Sequence, residues 1–200
     1  TTQARAIDAA LQSGDPALRT IWQRFKDLSV AALERTYERL GVRFDHYTGE
    51  SFFEDKMAPV VEEARRQGVL QESQGAQVVM LDDAKLPPAM MLKSDGGSTY
   101  LLRDLAAAVY RHKTFQFTRN VYVVDARQSD HFRQVFGTLA KMGYAWAQSC
   151  MHVPFGAVKV DGEVMSTRLG NVILMEDFVQ LNAARVLEIM REKNPSLEAE

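Results

Sequence analysis

Cysteine is nearly absent from this chain. The 200 residues contain one cysteine, Cys150, so no disulfide can form within the chain, and this composition fits a reducing, cytoplasmic environment. Cys150 lies in an apolar and aromatic run with Tyr144, Trp146 and Met151. This setting favours a small buried residue over a nucleophile.

Several other signals are also missing. No apolar run approaches the roughly 18 residues needed to cross a bilayer, so we expect no membrane partner. The net charge of −2 gives no general attraction for nucleic acid, and any RNA must be bound by a local patch or by parts outside these residues. CxxC, GxGxxG and P-loop motifs and a Ser–His–Asp order are absent, which disfavours zinc enzymes, dinucleotide oxidoreductases and hydrolases.

The first half of the chain is predicted to be helical and then β-rich. Apolar residues at helical spacing predict a helix over 16–40, with Ser29 as an N-cap or kink and Gly41 after its end. A second helix is predicted over 53–67, ending at Gly68. Short strands are predicted at the following ranges: 42–47, 69–70, 76–81 and 89–92.

The second half alternates between helices and apolar strands. We predict, in order, the following elements: a helix over 101–113, a strand over 120–125, a helix over 130–142, a strand over 146–153 and a last helix over 176–193. This order is typical of half of a doubly wound α/β sheet. Ligands of such sheets bind beyond the carboxyl ends of the strands, where the polar residues 125–131 follow the first strand.

Tyr100 and Asp104 are four residues apart and therefore lie on one face of the predicted helix. An aromatic ring and a carboxylate on one face can hold a cationic ligand. The spacing alone also allows Tyr100 to be a core residue and Asp104 to pair with Arg103, Arg111 or solvent. Both readings stay open at this point.

His131 begins the next helix, beside Gln128. It can stack on a planar ring or hydrogen-bond a phosphate or ribose, and helix N-termini favour anions. The alternative is an exposed capping residue. His46, His112 and His152 do not combine with Cys150 or a carboxylate at metal-ligand spacing, so no metal site is predicted.

The segment 165–171 combines two hydroxyls, a guanidinium and a glycine, with a β-hairpin predicted over 152–163 before it. Hydroxyls and backbone N–H groups donate hydrogen bonds to phosphate oxygens, arginine adds a charged fork, and glycine permits close backbone approach. Ser, Thr, Arg and Gly are also common in ordinary polar loops. A phosphate loop and a plain surface loop are both consistent with the segment by itself.

Four ordered blocks together resemble the arginyl-tRNA synthetases, a class I aminoacyl-tRNA synthetase family. Residues 94–108 (SDGGSTYLLRDLAAA) resemble its SDGTxxYxTRDIAAA block, and residues 121–132 (VYVVDARQSDHF) resemble IYVVgaeQxxHF. Residues 141–144 (KMGY) resemble LMGY. The run from His152 to Arg168 resembles HVxFGxV…KMSTRKG, the family's form of the KMSKS loop.

The resemblance implies an enzyme that joins arginine to ATP and then transfers arginine to tRNA(Arg). Tyr100, Asp104 and Gln128 match the arginine-site positions, and Asp104 would pair with the substrate guanidinium. His131 matches a position near the adenosine of ATP. The ATP-binding catalytic loop would consist of the following residues: Met165, Ser166, Thr167 and Arg168. Mg²⁺ is expected with ATP, and the attacking nucleophile is the carboxylate of arginine itself.

The resemblance implies half of a Rossmann-like doubly wound parallel sheet with an inserted α+β lobe. We expect the lobe over 1–97, helical to 67 and β-rich over 68–97. The second half of the nucleotide-binding fold is expected over 98–177, and a helix over 178–200 would lead to an anticodon-binding domain. No HIGH-like segment is present, so we expect this chain to be a fragment of the enzyme. The whole enzyme is expected to be a monomer.

Two alternatives remain at this stage. The first is a truncated paralogue that acts as a non-catalytic binding or regulatory module. Val164 and Leu169 favour it, since both stand where many relatives carry lysine. The second is a generic nucleotide-binding α/β protein.

Overall fold

The computed structural model describes most of the chain, namely residues 2–157, 159–160, 163–165 and 173–194. The chain divides into two compact units. One unit contains Thr1–His46 and Ser166–Glu200, and the other contains Tyr47–Met165.

Three helices are described in the first unit: α1 (Thr2–Gln12), α2 (Pro16–Arg39) and α6 (Met175–Lys193). The Asp15 carboxylate begins α2 by accepting hydrogen bonds from the Ala17 and Leu18 N–H groups, and a proline occupies the first helical position. The predictions of α2 and α6 are confirmed. α2 continues through Ser29 without a break, so the predicted N-cap there is wrong.

The second unit contains the other elements: α3 (Glu54–Arg66), β1 (Leu70–Ser73), β2 (Ala76–Val79), β3 (Ala89–Leu92), α4 (Tyr100–Phe115), β4 (Asn120–Asp125), α5 (Ser129–Lys141), β5 (Cys150–Phe155), β6 (Lys159–Val160) and β7 (Glu163–Val164). Strands β1, β2 and β3 form an antiparallel sheet in that order. β4 pairs with β5 in parallel, and β6 pairs with β7 as a short antiparallel hairpin. The predicted mixed α/β fold is confirmed at this level.

One hydrophobic core joins the helices and the antiparallel sheet of this unit. Side chains of α3, β2, β3, α4 and α5 pack together, and the most deeply buried include Ala64, Val79, Met91, Leu105 and Leu139. The core therefore runs across position 97, which was predicted as the end of the lobe. It fixes α4, which carries Tyr100 and Asp104, against α5, which carries His131.

Three strand predictions differ from the structure. Residues 42–47 form no strand, although their apolar residues alternate; Phe44 instead packs edge-on against Tyr37 at 4.9 Å between ring centroids. A β-hairpin was predicted over 152–163, and β6 and β7 form one at 159–160 and 163–164. Residues 152–155 belong instead to β5, which pairs with β4 from Asn120↔Cys150 to Asp125↔Phe155. The strand predicted from 146 begins at 150, after a 3-10 turn over Ala145–Ser149.

Candidate functional site

The beginning of α4 is fixed by the side chain of Thr99. Its Oγ1 accepts a hydrogen bond from the Leu102 N–H at 3.3 Å, which caps the helix. The same hydroxyl donates to the carbonyl oxygen of Met90 on β3, at 2.7 Å. This pair of bonds joins the first turn of α4 to the sheet and thereby sets where Tyr100 and Asp104 lie.

Tyr100 and Asp104 share one face of α4, as their spacing predicted, and both line one small cavity. The cavity measures about 220 Å³ and is lined by Thr48, Gly49, Glu50, Phe53, Tyr100, Arg103, Asp104, Ala107 and Arg111. The Tyr100 side chain is 72% exposed, so the alternative that it is a core residue is wrong. An aromatic ring and a carboxylate therefore face one opening.

The carboxylate of Asp104 contacts His131 rather than an arginine. His131 Nε2 and Asp104 Oδ2 lie 2.7 Å apart, although the residues are 27 positions apart in sequence. An ionised carboxylate only accepts hydrogen bonds, so Nε2 carries the proton and donates it. The predicted alternative partners, Arg103 and Arg111, are engaged elsewhere. His131 is the third residue of α5 and is partly buried, which differs from the exposed capping role.

Arg103 forms an ion pair within the cavity wall. Its Nη1 donates to Glu50 Oε2 at 2.7 Å, and its guanidinium carbon lies 5.6 Å from the centre of the Tyr100 ring. The Arg103 side chain is 21% exposed, and its Nε is buried without a hydrogen-bond partner among the described residues. Glu50 was not predicted as a site residue, because nothing in the local sequence links it to a helix 53 positions away.

Arg111 completes the charged groups of the cavity. Its guanidinium carbon lies 5.8 Å from the Phe53 ring and 5.4 Å from the Tyr122 ring. These are cation–π contacts, in which the ring faces stabilise the positive charge. The cavity thus contains two carboxylates, from Glu50 and Asp104, and two guanidiniums, of which Arg103 is ion-paired with Glu50 and Arg111 contacts aromatic rings.

The carboxyl end of β4 is polar, as predicted, and its charged side chains, Asp125 and Arg127, form an ion pair with each other. Arg127 donates to both Asp125 oxygens from its side chain at 2.9 Å, and the Arg127 N–H donates at 2.8 Å. The Arg127 side chain, followed by the backbone bond, lowers the pKa of Asp125 to about 2. Gln128 ends the turn that follows β4 and is exposed; no side-chain partner is described for it.

The ring of His131 packs against a cluster of aromatic side chains. The His131 ring lies edge-on to Phe132 at 5.2 Å, and Phe132 packs in turn against Tyr122, Phe136 and His152. His152 Nε2 donates to the Val124 carbonyl oxygen at 2.9 Å. Because Phe132 is buried, the imidazole of His131 rests on a fixed surface.

The predicted loop is only partly within the described structure. Met165 is partly buried after β7, whereas Ser166, Thr167 and Arg168 lie outside the described residues.

Cys150 is buried as predicted, and desolvation raises the pKa of its thiol. In the described part of the chain no three His, Cys, Asp or Glu side chains group as a metal site would require, and no helix could span a bilayer.

A larger cleft lies apart from all the predicted residues. It measures about 460 Å³ and lies between α3 and α4, next to Lys56, Arg66, Tyr110 and Tyr144. Lys56 is paired with Asp55 at 2.8 Å, and Arg66 is paired with Glu63. Both of these ion pairs are made within α3, and none of the residues predicted for a site lines this cleft.

Comparison with solved structures shows that this chain shares its fold with two arginyl-tRNA synthetases. The arginyl-tRNA synthetase of Plasmodium falciparum aligns with 94% of this chain and 32% of its own, with a TM-score of 0.71 at 24% identity. The Thermus thermophilus arginyl-tRNA synthetase aligns with 95% of this chain and 40% of its own, with a TM-score of 0.68 at 19% identity. These TM-scores show a shared fold.

Sequence comparison identifies the family. Residues 1–200 match the model for the catalytic domain of class I tRNA synthetases of the arginine type, and the chain belongs to that family. Arginine–tRNA ligases of Clostridium botulinum (strain Alaska E43) and Clostridium perfringens are each 50% identical to it over 196 residues, 98% of this chain. The chain spans 35% of the length of each of these relatives.

Proposed function

We propose that this chain provides the arginine-binding wall of the catalytic domain of an arginine–tRNA ligase. The observation that carries the proposal is the cavity shared by the Tyr100 ring and the Asp104 carboxylate. A carboxylate can accept two parallel N–H bonds from a guanidinium, and an aromatic ring can pack on its flat face. Membership of the arginine-type family supports arginine as the ligand.

The remaining predicted residues would surround this pocket. Gln128 would contact the bound amino acid, since it follows β4 at the end where ligands of parallel sheets bind. His131 would contact the adenosine of ATP from the start of α5. Met165, Ser166, Thr167 and Arg168 would form the loop that binds the phosphates, and Mg²⁺ would enter with ATP as part of the substrate.

The reaction needs positioning and charge stabilisation more than a general base. A carboxylate oxygen of arginine attacks the α-phosphorus of ATP, the bond to the bridging oxygen breaks, and pyrophosphate leaves. A terminal ribose hydroxyl of tRNA(Arg) then attacks the arginyl carbonyl, and AMP leaves. Asp104 would hold the far end of arginine, so that its carboxylate lies at a fixed distance from the phosphate.

The β4–β5 pair supports the proposal that this chain is half of a Rossmann-like doubly wound sheet. Asn120 and Tyr122 on one face are buried, whereas Val121, Val123 and Val153 on the other are 40–65% exposed. Parallel sheets are covered on both faces. We propose that further segments of a longer enzyme cover this face, and that this enzyme is monomeric and cytoplasmic. We also propose that the inserted lobe spans 1–97, that the second half of the nucleotide-binding fold spans 98–177, and that the helix leading to the C-terminal domain spans 178–200.

Arginine-dependent ATP–pyrophosphate exchange by the full-length protein tests the proposal. With tRNA(Arg) and Mg²⁺ present, exchange is expected with arginine and not with lysine, whose ammonium cannot form a bidentate pair with Asp104. Absence of exchange together with measurable arginine binding would favour the second candidate, a non-catalytic paralogue. Val164, which stands where the KMSKS pattern has a lysine, is the observation that favours this candidate. Absence of both would contradict the proposal.

A further inference from the structure

The contact between His131 and Asp104 lies at the edge of the proposed arginine pocket. His131 Nε2 is 2.7 Å from Asp104 Oδ2, and the two side chains are 23% and 35% exposed. Asp104 lines the cavity, whereas the residues lining it do not include His131. The imidazole therefore reaches the carboxylate from outside the cavity.

Both ends of this contact are held by the fold. α4 and α5 pack through the shared core, and this packing fixes the distance between their first turns. The ring of His131 rests edge-on against the buried Phe132. A carboxylate on a helix can otherwise rotate about χ1 and χ2, so a fixed donor at Oδ2 selects one orientation.

We propose that His131 is a positioning residue for Asp104, an inference that rests on the proposed function. The Nε2–H donor occupies one lone pair of Oδ2 and leaves the other acceptor positions for the guanidinium of arginine. The hydrogen bond is made at Oδ2, so Oδ1 stays available to accept from the ligand. Arginine affinity then depends on His131 even when ATP is absent.

Two substitutions separate the hydrogen bond from the ring packing. His131→Phe keeps an aromatic ring on Phe132 and removes the N–H, whereas His131→Gln keeps a side-chain N–H and removes the ring. A hydrogen bond to a charged group contributes enough for its loss to weaken binding roughly 10-fold or more. We expect the arginine Kd to rise roughly 10-fold in His131→Phe, while His131→Gln stays within about 3-fold of the wild type.

His152→Phe is the matched control. His152 also packs on Phe132, but its Nε2 donates to the Val124 carbonyl oxygen and not to a carboxylate. The same change of histidine to phenylalanine therefore disturbs the aromatic cluster without touching Asp104. We expect its arginine Kd to change less than about 2-fold, since no bond to the ligand-binding carboxylate is lost.

Arginine binding is measured by equilibrium dialysis on the full-length protein without ATP, and unfolding midpoints verify that each variant is folded. The proposal is overturned if His131→Phe binds arginine as the wild type does, or if His152→Phe weakens binding by the same factor. It is also overturned if His131→Gln loses as much affinity as His131→Phe. If the wild type binds no arginine, the proposed function fails. If the wild type binds arginine but the Kd values of the His131 variants differ from those expected, only the positioning role fails.

Discussion

The guanidinium of Arg103 reaches across to Glu50, and their Nη1 and Oε2 atoms lie 2.7 Å apart in the wall of the proposed pocket. This ion pair neutralises a positive charge that would otherwise repel a cationic amino acid. The Tyr100 ring lies over the same guanidinium. The pocket thus contains a matched internal pair beside Asp104, the carboxylate proposed to bind the substrate.

Glu50→Gln is expected to weaken arginine binding. It leaves Arg103 without a charged partner, and a half-exposed pair of this kind is worth roughly 1 kcal/mol or less, so the KM for arginine should rise about 3- to 5-fold. Steady-state exchange assays on the full-length protein measure it. Glu72→Gln, an exposed glutamate on β1, is the control and should leave the KM unchanged. An unchanged KM in Glu50→Gln would show that Arg103 does not affect the ligand.

Thr99→Ala is expected to destabilise the protein by about 1–2 kcal/mol, because it removes both the helix cap and the bond to Met90. The free energy of unfolding in urea measures this change. Thr114→Ala, an exposed threonine near the end of α4, is the control and should alter it by less than about 0.5 kcal/mol. Equal effects of the two substitutions would contradict the anchoring role of Thr99.

The helices and β4 were predictable because their signals are local. The end of α5, for example, follows from the apolar periodicity and from Gly143, whose φ of +82° suits a residue after a helix. The start of β5 was predicted too early, because the 3-10 turn over Ala145–Ser149 is as apolar as a strand. The Glu50–Arg103 ion pair and the His131–Asp104 contact both join segments that are distant in the sequence. No residue spacing in the sequence encodes the packing that brings these segments together.

The Asp125–Arg127 ion pair should make the folded protein less stable at acidic pH. The pKa of Asp125 is lowered to about 2, so its contribution is complete above the unfolded-state value of roughly 3.9 and is lost as the pH falls toward 2. Arg127→Ala should therefore reduce stability at pH 7 and make little difference at pH 2. Carbon-13 NMR should also show the Asp125 pKa returning toward its ordinary value. A pKa that stays near 2 in Arg127→Ala would contradict the assigned cause.

The Cys150 thiol should react slowly in the folded protein. Desolvation raises its pKa, so the reactive thiolate is scarce at pH 8 and burial restricts access to it. Labelling with iodoacetamide, followed at Cys150 by peptide mass spectrometry, should accelerate strongly in 6 M guanidinium. Labelling at the same rate with and without denaturant would show that the thiol is exposed.

The central claim is that Asp104 binds the guanidinium of arginine, and Asp104→Asn in the full-length protein tests it most directly. Removing the charge while keeping the shape should weaken arginine binding by at least roughly 30-fold in equilibrium dialysis, because a charged, hydrogen-bonded partner is lost. Asp130→Asn is the control, since that carboxylate pairs with Arg133 on the exposed surface of α5. Near-complete loss of arginine binding in Asp104→Asn, with binding retained in Asp130→Asn, supports the claim. An arginine Kd in Asp104→Asn equal to that of the wild type contradicts it.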